Sequence, residues 1–284
     1  MSLRTARRSF PMLLTALALI ASGGEVARAA AAAGIPAQED SARAALERSP
    51  RHGEYVDVPY AGQAPLRTWV VYPERKDRAG VVLVVHEIYG LTDWIRDVAD
   101  RLAADGFIAV APDLLSGLGP GGGGTDSLPS RDDVVKAVRA LTPEESAARI
   151  AAVRAWATAL PDANGKLATL GFCWGGARSF AAAAASPAPQ AAVVFYGSSP
   201  DSAGLERVEA PVQGHYGGDD ARVNATIEPA RKRLTERRRP YDVHVYEGAG
   251  HGFLRQQAGR EGANLRASQA AWPRTLAFLR RHLK

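Results

Sequence analysis

The run Leu167–Gly176, LATLGFCWGG, constrains this chain more than any other segment. A short apolar strand leads into Gly171, Cys173, Gly175 and Gly176, and a helix of small residues is expected over Ala177–Ala185. The spacing Gly-x-Cys-x-Gly is that of a nucleophile elbow with cysteine at its tip. A sharp strand-to-helix turn brings two backbones together, and glycine at the flanks is what lets them approach. The N-terminus of the following helix points at the thiol, which predicts a lowered thiol pKa and a site for an oxyanion.

The chain has 284 residues, 46% of them hydrophobic and 23% charged, as expected of a globular α/β domain. Its formal charge is +5, of which Arg4, Arg7, Arg8 and Arg28 against Glu25 supply +3 within the first 29 residues. The remainder is close to neutral, which argues against nucleic acid as a partner. Residues 1–29 read as an export signal: a basic start, an apolar run over Pro11–Ala21, and the cleavage pattern Ala27-Arg28-Ala29. Arg7-Arg8-Ser9-Phe10 also matches a twin-arginine pattern, so the route of export stays open. The apolar run is too short for a stable membrane span, and the mature chain is expected in the periplasm or outside the cell. Residues 30–50 read as a linker, and residues 51–284 as one domain. One cysteine excludes an intramolecular disulfide, and a lone thiol in an oxidising compartment needs burial or a use.

Apolar strand-like runs alternate with helical patterns after residue 50. Strands are expected at Tyr55–Val58, Leu66–Tyr72, Val81–His86, Phe107–Ala111, Leu167–Phe172, Ala191–Tyr196, Val212–Tyr216 and Val243–Tyr246. Helices are expected at Asp93–Ala104, at Pro143–Leu160 behind a Thr142/Glu145 capping box, near Ile227–Arg237 and at Leu265–His282. This alternation predicts a mostly parallel sheet of eight strands with helices on both faces. Gly117–Gly122 spells GxGxxG but opens no helix, so it is not a dinucleotide site. Ser116–Ser130 is expected instead to be a mobile loop near the strand ends. His86-Glu87 lacks the second histidine of a zinc motif, because position 90 is glycine. Arg231–Arg239 is read as a solvated helix end. No metal or organic cofactor is indicated.

A cysteine nucleophile needs a base and the base an orienting acid. Asp219 and Asp220 follow the run Val212–Tyr216, and His251 lies in a glycine-rich loop after Val243–Tyr246. In a parallel sheet these positions share the carboxyl edge with Cys173. His52, His86, His215, His244 and His282 fit the role less well by position. Glu87, at the end of an apolar strand, must find a partner or take a raised pKa.

HEIYG at 86–90, GFCWGG at 171–176, YGGDD at 216–220 and GAGHGFLR at 248–255 together resemble the dienelactone hydrolase family of α/β-hydrolases, over roughly residues 54–284. The resemblance implies an α/β-hydrolase fold and a triad of Cys173, Asp220 and His251, with Asp219 the rival acid. It implies that Glu87 contacts the resting thiol and helps form the thiolate. It implies an oxyanion hole from the backbone N–H groups of Ile88 and Trp174, and that Arg255 binds a substrate carboxylate. The family's further polar residues do not align with the glycine-rich loop here, and Arg131 is the candidate stand-in. Trp174 sets a bulky indole beside the thiol, which leaves open a narrowed or redirected pocket. The implied activity is cleavage of a lactone or activated carboxylic ester, anionic or not, through a thioester. The alternatives are a general carboxylesterase of the same fold, or a non-catalytic ligand-binding or thiol-sensing protein on that scaffold. Oligomeric state stays open.

Overall fold

The computed structural model describes residues 34–60 and 62–284, so the export-signal reading of residues 1–29 lies outside them. Among the described residues, eight strands form one sheet in the order β1-β2-β4-β3-β5-β6-β7-β8. They are β1 (Gly53–Val58), β2 (Leu66–Val71), β3 (Ala79–Val85), β4 (Ile108–Pro112), β5 (Ala163–Phe172), β6 (Ala191–Phe195), β7 (Val212–Gly217) and β8 (Tyr241–Tyr246). Strands β1 and β2 are antiparallel, and β3 to β8 run parallel. The expected class, an α/β sheet covered on both faces, is the observed one.

Strand β3 shows why. Every residue from Val81 to Val85 is fully buried. Val82 and Val84 join one apolar cluster with Trp94, Phe172 and Trp272, while Val81, Leu83 and Val85 join another with Val138, Ile150 and Val153. The period of two thus divides one continuous apolar run between two cores. Each such Val or Leu contributes roughly 1.5–3 kcal/mol of burial. The first core is closed by α2 (Asp93–Ala104) and the C-terminal helix Ala263–Leu283, and the second by α3 (Arg131–Ala140) and α4 (Pro143–Thr158).

Helix α4 starts as expected. Thr142 Oγ1 accepts from the Glu145 N–H at 3.1 Å, and Glu145 accepts from the Thr142 N–H at 3.0 Å. Helix α3 was not anticipated. Its buried residues are Val134 and Val138, with Ala137 half-buried beside them, on a helix that also carries five charged residues. Ser130 caps it.

Two sequence-based expectations need correction. Residues 34–50 are not a linker: they include a turn at Glu39–Ser41 and helix α1 (Ala42–Glu47) and pack against α2. Ala42 is fully buried, and Asp100 receives both Ser49 and Arg51 at 2.6 Å. Besides Ala42 and the half-buried Ile35 this docking rests on long-range polar contacts, which leave no apolar period to read. The loop at 116–130 is also tied down. Asp113 accepts from the Thr125 N–H at 2.6 Å and its hydroxyl at 2.8 Å, and Thr125 Oγ1 accepts from the Leu91 N–H at 3.1 Å. No helix among the described residues is long and apolar enough to cross a membrane.

Candidate active site

Strand β5 ends at Phe172 and helix α5 (Trp174–Ala182) begins immediately after Cys173, three residues earlier than expected. Cys173 takes φ +54° and ψ −116°, a strained conformation for a residue with a side chain. Its N–H is held by the Phe195 carbonyl at 3.0 Å. The flanking glycines are required by close backbone approach. A Cβ on Gly171 would lie 2.0 Å from the Gly175 oxygen, and one on Gly175 would lie 2.3 Å from the oxygens of Val85 and His86.

The thiol does not have the lowered pKa that the helix N-terminus suggested. Burial, then the Glu87 charge, push it up to about 11, against the opposing pull of the Trp174 N–H, Arg222 and Arg255. Desolvation disfavours the anion more than one helix end favours it. At rest the group is a neutral thiol.

His251 and Asp220 come together from two separate loops. His251 Nδ1 donates to Asp220 Oδ2 at 2.6 Å, and the Asp220 carboxylate is buried. This bond leaves Nε2 of a neutral imidazole as the acceptor. Asp219 points elsewhere and pairs with Arg260 at 2.9 Å on the surface. Of the two adjacent aspartates, Asp220 is the partner of the histidine.

Glu87 is buried, with Arg255 Nε 2.7 Å from its carboxylate. Desolvation nonetheless raises its pKa to about 7, with Arg255 pulling down and Glu39 pushing up. The Glu87 charge raises the thiol's pKa, so at rest it opposes the thiolate that the resemblance expects it to help form. Beside both stands Tyr196, which the sequence reading passed over. It follows β6, has φ +40°, is fully buried, and its ring centroid is 5.2 Å from that of His251. Its hydroxyl makes no hydrogen bond of ordinary geometry, although it lies near enough to Glu87 to favour that carboxylate's anion. The signal that could have marked it is its place just past the strand next to the elbow strand.

The two candidate oxyanion donors arise from neighbouring strand ends. Val85 of β3 is in register with Gly171 of β5, and Ile88 and Trp174 each follow three residues on. The Trp174 N–H engages the Cys173 sulfur. The Glu87 carbonyl accepts from His86 Nδ1 at 2.7 Å. In a trans peptide the next N–H, that of Ile88, therefore points away from His86. The indole of Trp174 stacks on His86 with centroids 5.7 Å apart and belongs to the second core, whereas Cys173 packs against the first.

Arg255 is buried and engaged twice, by Glu87 and by Glu39. Arg131 also reaches Glu39, at 2.9 Å. The remaining histidines have structural settings. His215 is buried among Gln213, Tyr246 and Thr275 at 2.9–3.1 Å, and His244 pairs with Asp242. His86 is buried, accepts the Leu114 N–H at 3.2 Å, and is kept neutral by desolvation. His52 is largely exposed beside Glu54, and His282 packs edge-on to Phe278. Among the described residues no cluster of His, Cys, Asp and Glu could hold a metal ion.

A mostly parallel sheet, a strained residue between strand and helix, and an Asp–His pair past later strands define an α/β-hydrolase. Residues 66–283 match the dienelactone hydrolase family, and the chain belongs to that family. A protein of Salmonella typhimurium provisionally named carboxymethylenebutenolidase is 31% identical over 219 residues, covering 72% of this chain and 79% of its own. One of Saccharolobus solfataricus with the same provisional name is 27% identical over 254 residues, covering 77% and 95%. A crystal structure from Klebsiella pneumoniae, provisionally named a dienelactone hydrolase, is 27% identical. It superposes with a TM-score of 0.68 over 80% of this chain and 97% of that one.

Proposed function

We propose that the protein hydrolyses lactones or activated carboxylic esters, with Cys173 as nucleophile, His251 as base and Asp220 orienting the histidine. The 2.6 Å bond from His251 Nδ1 to Asp220, beside the strained Cys173 turn, carries this reading. Family membership and the provisional names of the relatives support the substrate class.

In the proposed reaction, substrate binding brings a carbonyl to the neutral thiol, and Glu87 or His251 takes the thiol proton. The sulfur attacks, and the developing oxyanion is met by the N–H groups of Ile88 and Trp174. The carbon–oxygen bond breaks, the proton passes to the leaving alkoxide or enolate, and an acyl thioester remains on Cys173. Water activated by His251 hydrolyses the thioester and restores the thiol. A thiolate is itself a good leaving group, so only leaving groups that compete with it give net acylation. This favours enol lactones and aryl esters over amides.

The resting state argues against a thiol sensor. Redox-sensing cysteines are exposed and of low pKa, and this one is held near 11.

The test is a panel of lactones and aryl esters with wild type, Cys173→Ala and His251→Gln. Loss of turnover in Cys173→Ala, with an acyl adduct accumulating on Cys173 in His251→Gln, is expected. Full activity in Cys173→Ala refutes the assignment. We also propose that the chain is exported, on the composition of residues 1–29. Recovery of the whole pool in the cytoplasmic fraction, with an uncut N-terminus, overturns that.

A further inference from the structure

Two guanidinium groups from distant parts of the chain converge on one carboxylate, that of Glu39. Arg131 opens helix α3, and Arg255 lies in the loop after His251. Both lie over the ring of Tyr89, at 3.7 Å and 5.0 Å from its centroid. Paired arginines on an aromatic base make a carboxylate-binding site, because each planar fork matches carboxylate oxygens. The site adjoins the chemistry: Arg255 also holds Glu87, and both residues act on the charge of the Cys173 sulfur.

That site is filled by the chain itself. One oxygen of Glu39 meets Arg131 at 2.9 Å and the other meets Arg255. The segment leading into Glu39 is fastened at successive residues. The Glu39 N–H donates to the Arg255 carbonyl at 3.0 Å, and the Ala37 N–H to Asp97 at 2.7 Å. Trp94 donates to the Ala37 carbonyl at 3.0 Å, Gln257 to that of Pro36 at 2.7 Å, and the Ala258 N–H to Gln38 at 3.1 Å. The row Arg131, Glu39, Arg255, Glu87 alternates in sign, so neither arginine of this pair is left for an incoming anion.

We propose that Glu39 is a specificity residue: by occupying the Arg131–Arg255 pair it makes the enzyme select substrates that carry no carboxylate near the reacting carbonyl. The inference rests on the ester and lactone hydrolysis proposed above. An intramolecular carboxylate competes at an effective concentration on the order of millimolar or more. A substrate carboxylate must displace it, or sit unpaired beside the Glu39 carboxylate, where like charge repels it.

The test compares 4-nitrophenyl butyrate with 4-nitrophenyl hydrogen glutarate, which carries a free carboxylate, on full-length wild type, Glu39→Gln and Glu39→Ala. Wild type should prefer the neutral ester. Both variants should raise the ratio of kcat/KM for the anionic over the neutral ester by about tenfold or more, mainly through KM. Adding Arg131→Ala should abolish the gain, Glu39→Asp should keep most of the wild-type preference, and Gln38→Ala, which loosens the same segment, should leave the ratio unchanged. An unchanged ratio in both Glu39 variants overturns the inference, as does an equal shift in Gln38→Ala. Calorimetry with benzoate decides it without turnover: Glu39→Ala should bind at least about tenfold tighter than wild type, and equal binding refutes it. Hydrolysis of neither ester by wild type counts against the proposed reaction, and the benzoate result still judges Glu39.

Discussion

Glu87 and Arg255 form a buried ion pair at 2.7 Å, yet Glu87 keeps a pKa of about 7. The pairing offsets only part of the desolvation, which is the larger effect, and the nearby Glu39 charge adds to the rise. Glu87 therefore titrates where the enzyme is expected to work, which gives it two measurable consequences.

The first is kinetic. Only the anion can accept the thiol proton, so acylation measured by single turnover should rise with pH through about 7. Glu87→Gln should remove that limb and lower the plateau. A limb that survives intact in the variant assigns the proton transfer to His251 alone.

The second is thermodynamic. The carboxyl has an ordinary pKa of 4.5 when unfolded and about 7 when folded. Between these values the folded state holds a proton that the unfolded state has released. The stability from this group is full below the lower value and is lost as pH rises through the upper one. The loss is on the order of 1–3 kcal/mol. Urea unfolding near pH 5 and pH 8 should show the decline in wild type, and Glu87→Gln should reduce it, leaving the part due to the buried Asp97, whose carboxyl is raised to about 6.

A thiol with pKa near 11 is almost wholly protonated at neutral pH. Alkylation of Cys173 by iodoacetamide at pH 7.5 should run roughly two orders of magnitude slower than that of an unhindered thiol of pKa about 8.5. Mass spectrometry of the Cys173 peptide over time gives the rate. A rate at or above that of the free thiol contradicts a neutral resting state.

Asp220→Asn should leave KM nearly unchanged and reduce kcat by roughly 100- to 10,000-fold, because the amide no longer holds the His251 tautomer. Asp219→Asn removes only the surface pair with Arg260 and should change kcat less than about twofold. Parallel kinetics on the two variants separate the neighbours, and equal losses reject the assignment.

Gly175→Ala puts a methyl 2.3 Å from two carbonyl oxygens of the β3 end. It should destabilise the fold by about 1–3 kcal/mol or more and reduce turnover with it. Thermal unfolding and ester hydrolysis on the same sample check both effects.

The sheet was legible because its signals are local. Val81–Val85 is an unbroken apolar run, the Thr142/Glu145 box marks a helix start, and the glycines around Cys173 demand a tight turn. Motif order was legible too, since Asp220 and His251 follow later strands. Helix α3 escaped because two valines on a charged surface carry little period. Tyr196 escaped because an aromatic at a strand end resembles any core residue.

The amino-acid sequence by itself determined the fold class and the chemical types gathered at the carboxyl edge of the sheet. Both follow from short-range pattern and strand order. Only the tertiary structure decided which aspartate meets His251, that Trp174 turns its ring to the other core, and that the thiol rests neutral. It also decided that Glu39, 216 positions before Arg255, closes the arginine pair. Those outcomes depend on desolvation and on charges brought together from remote segments, which no local spacing encodes.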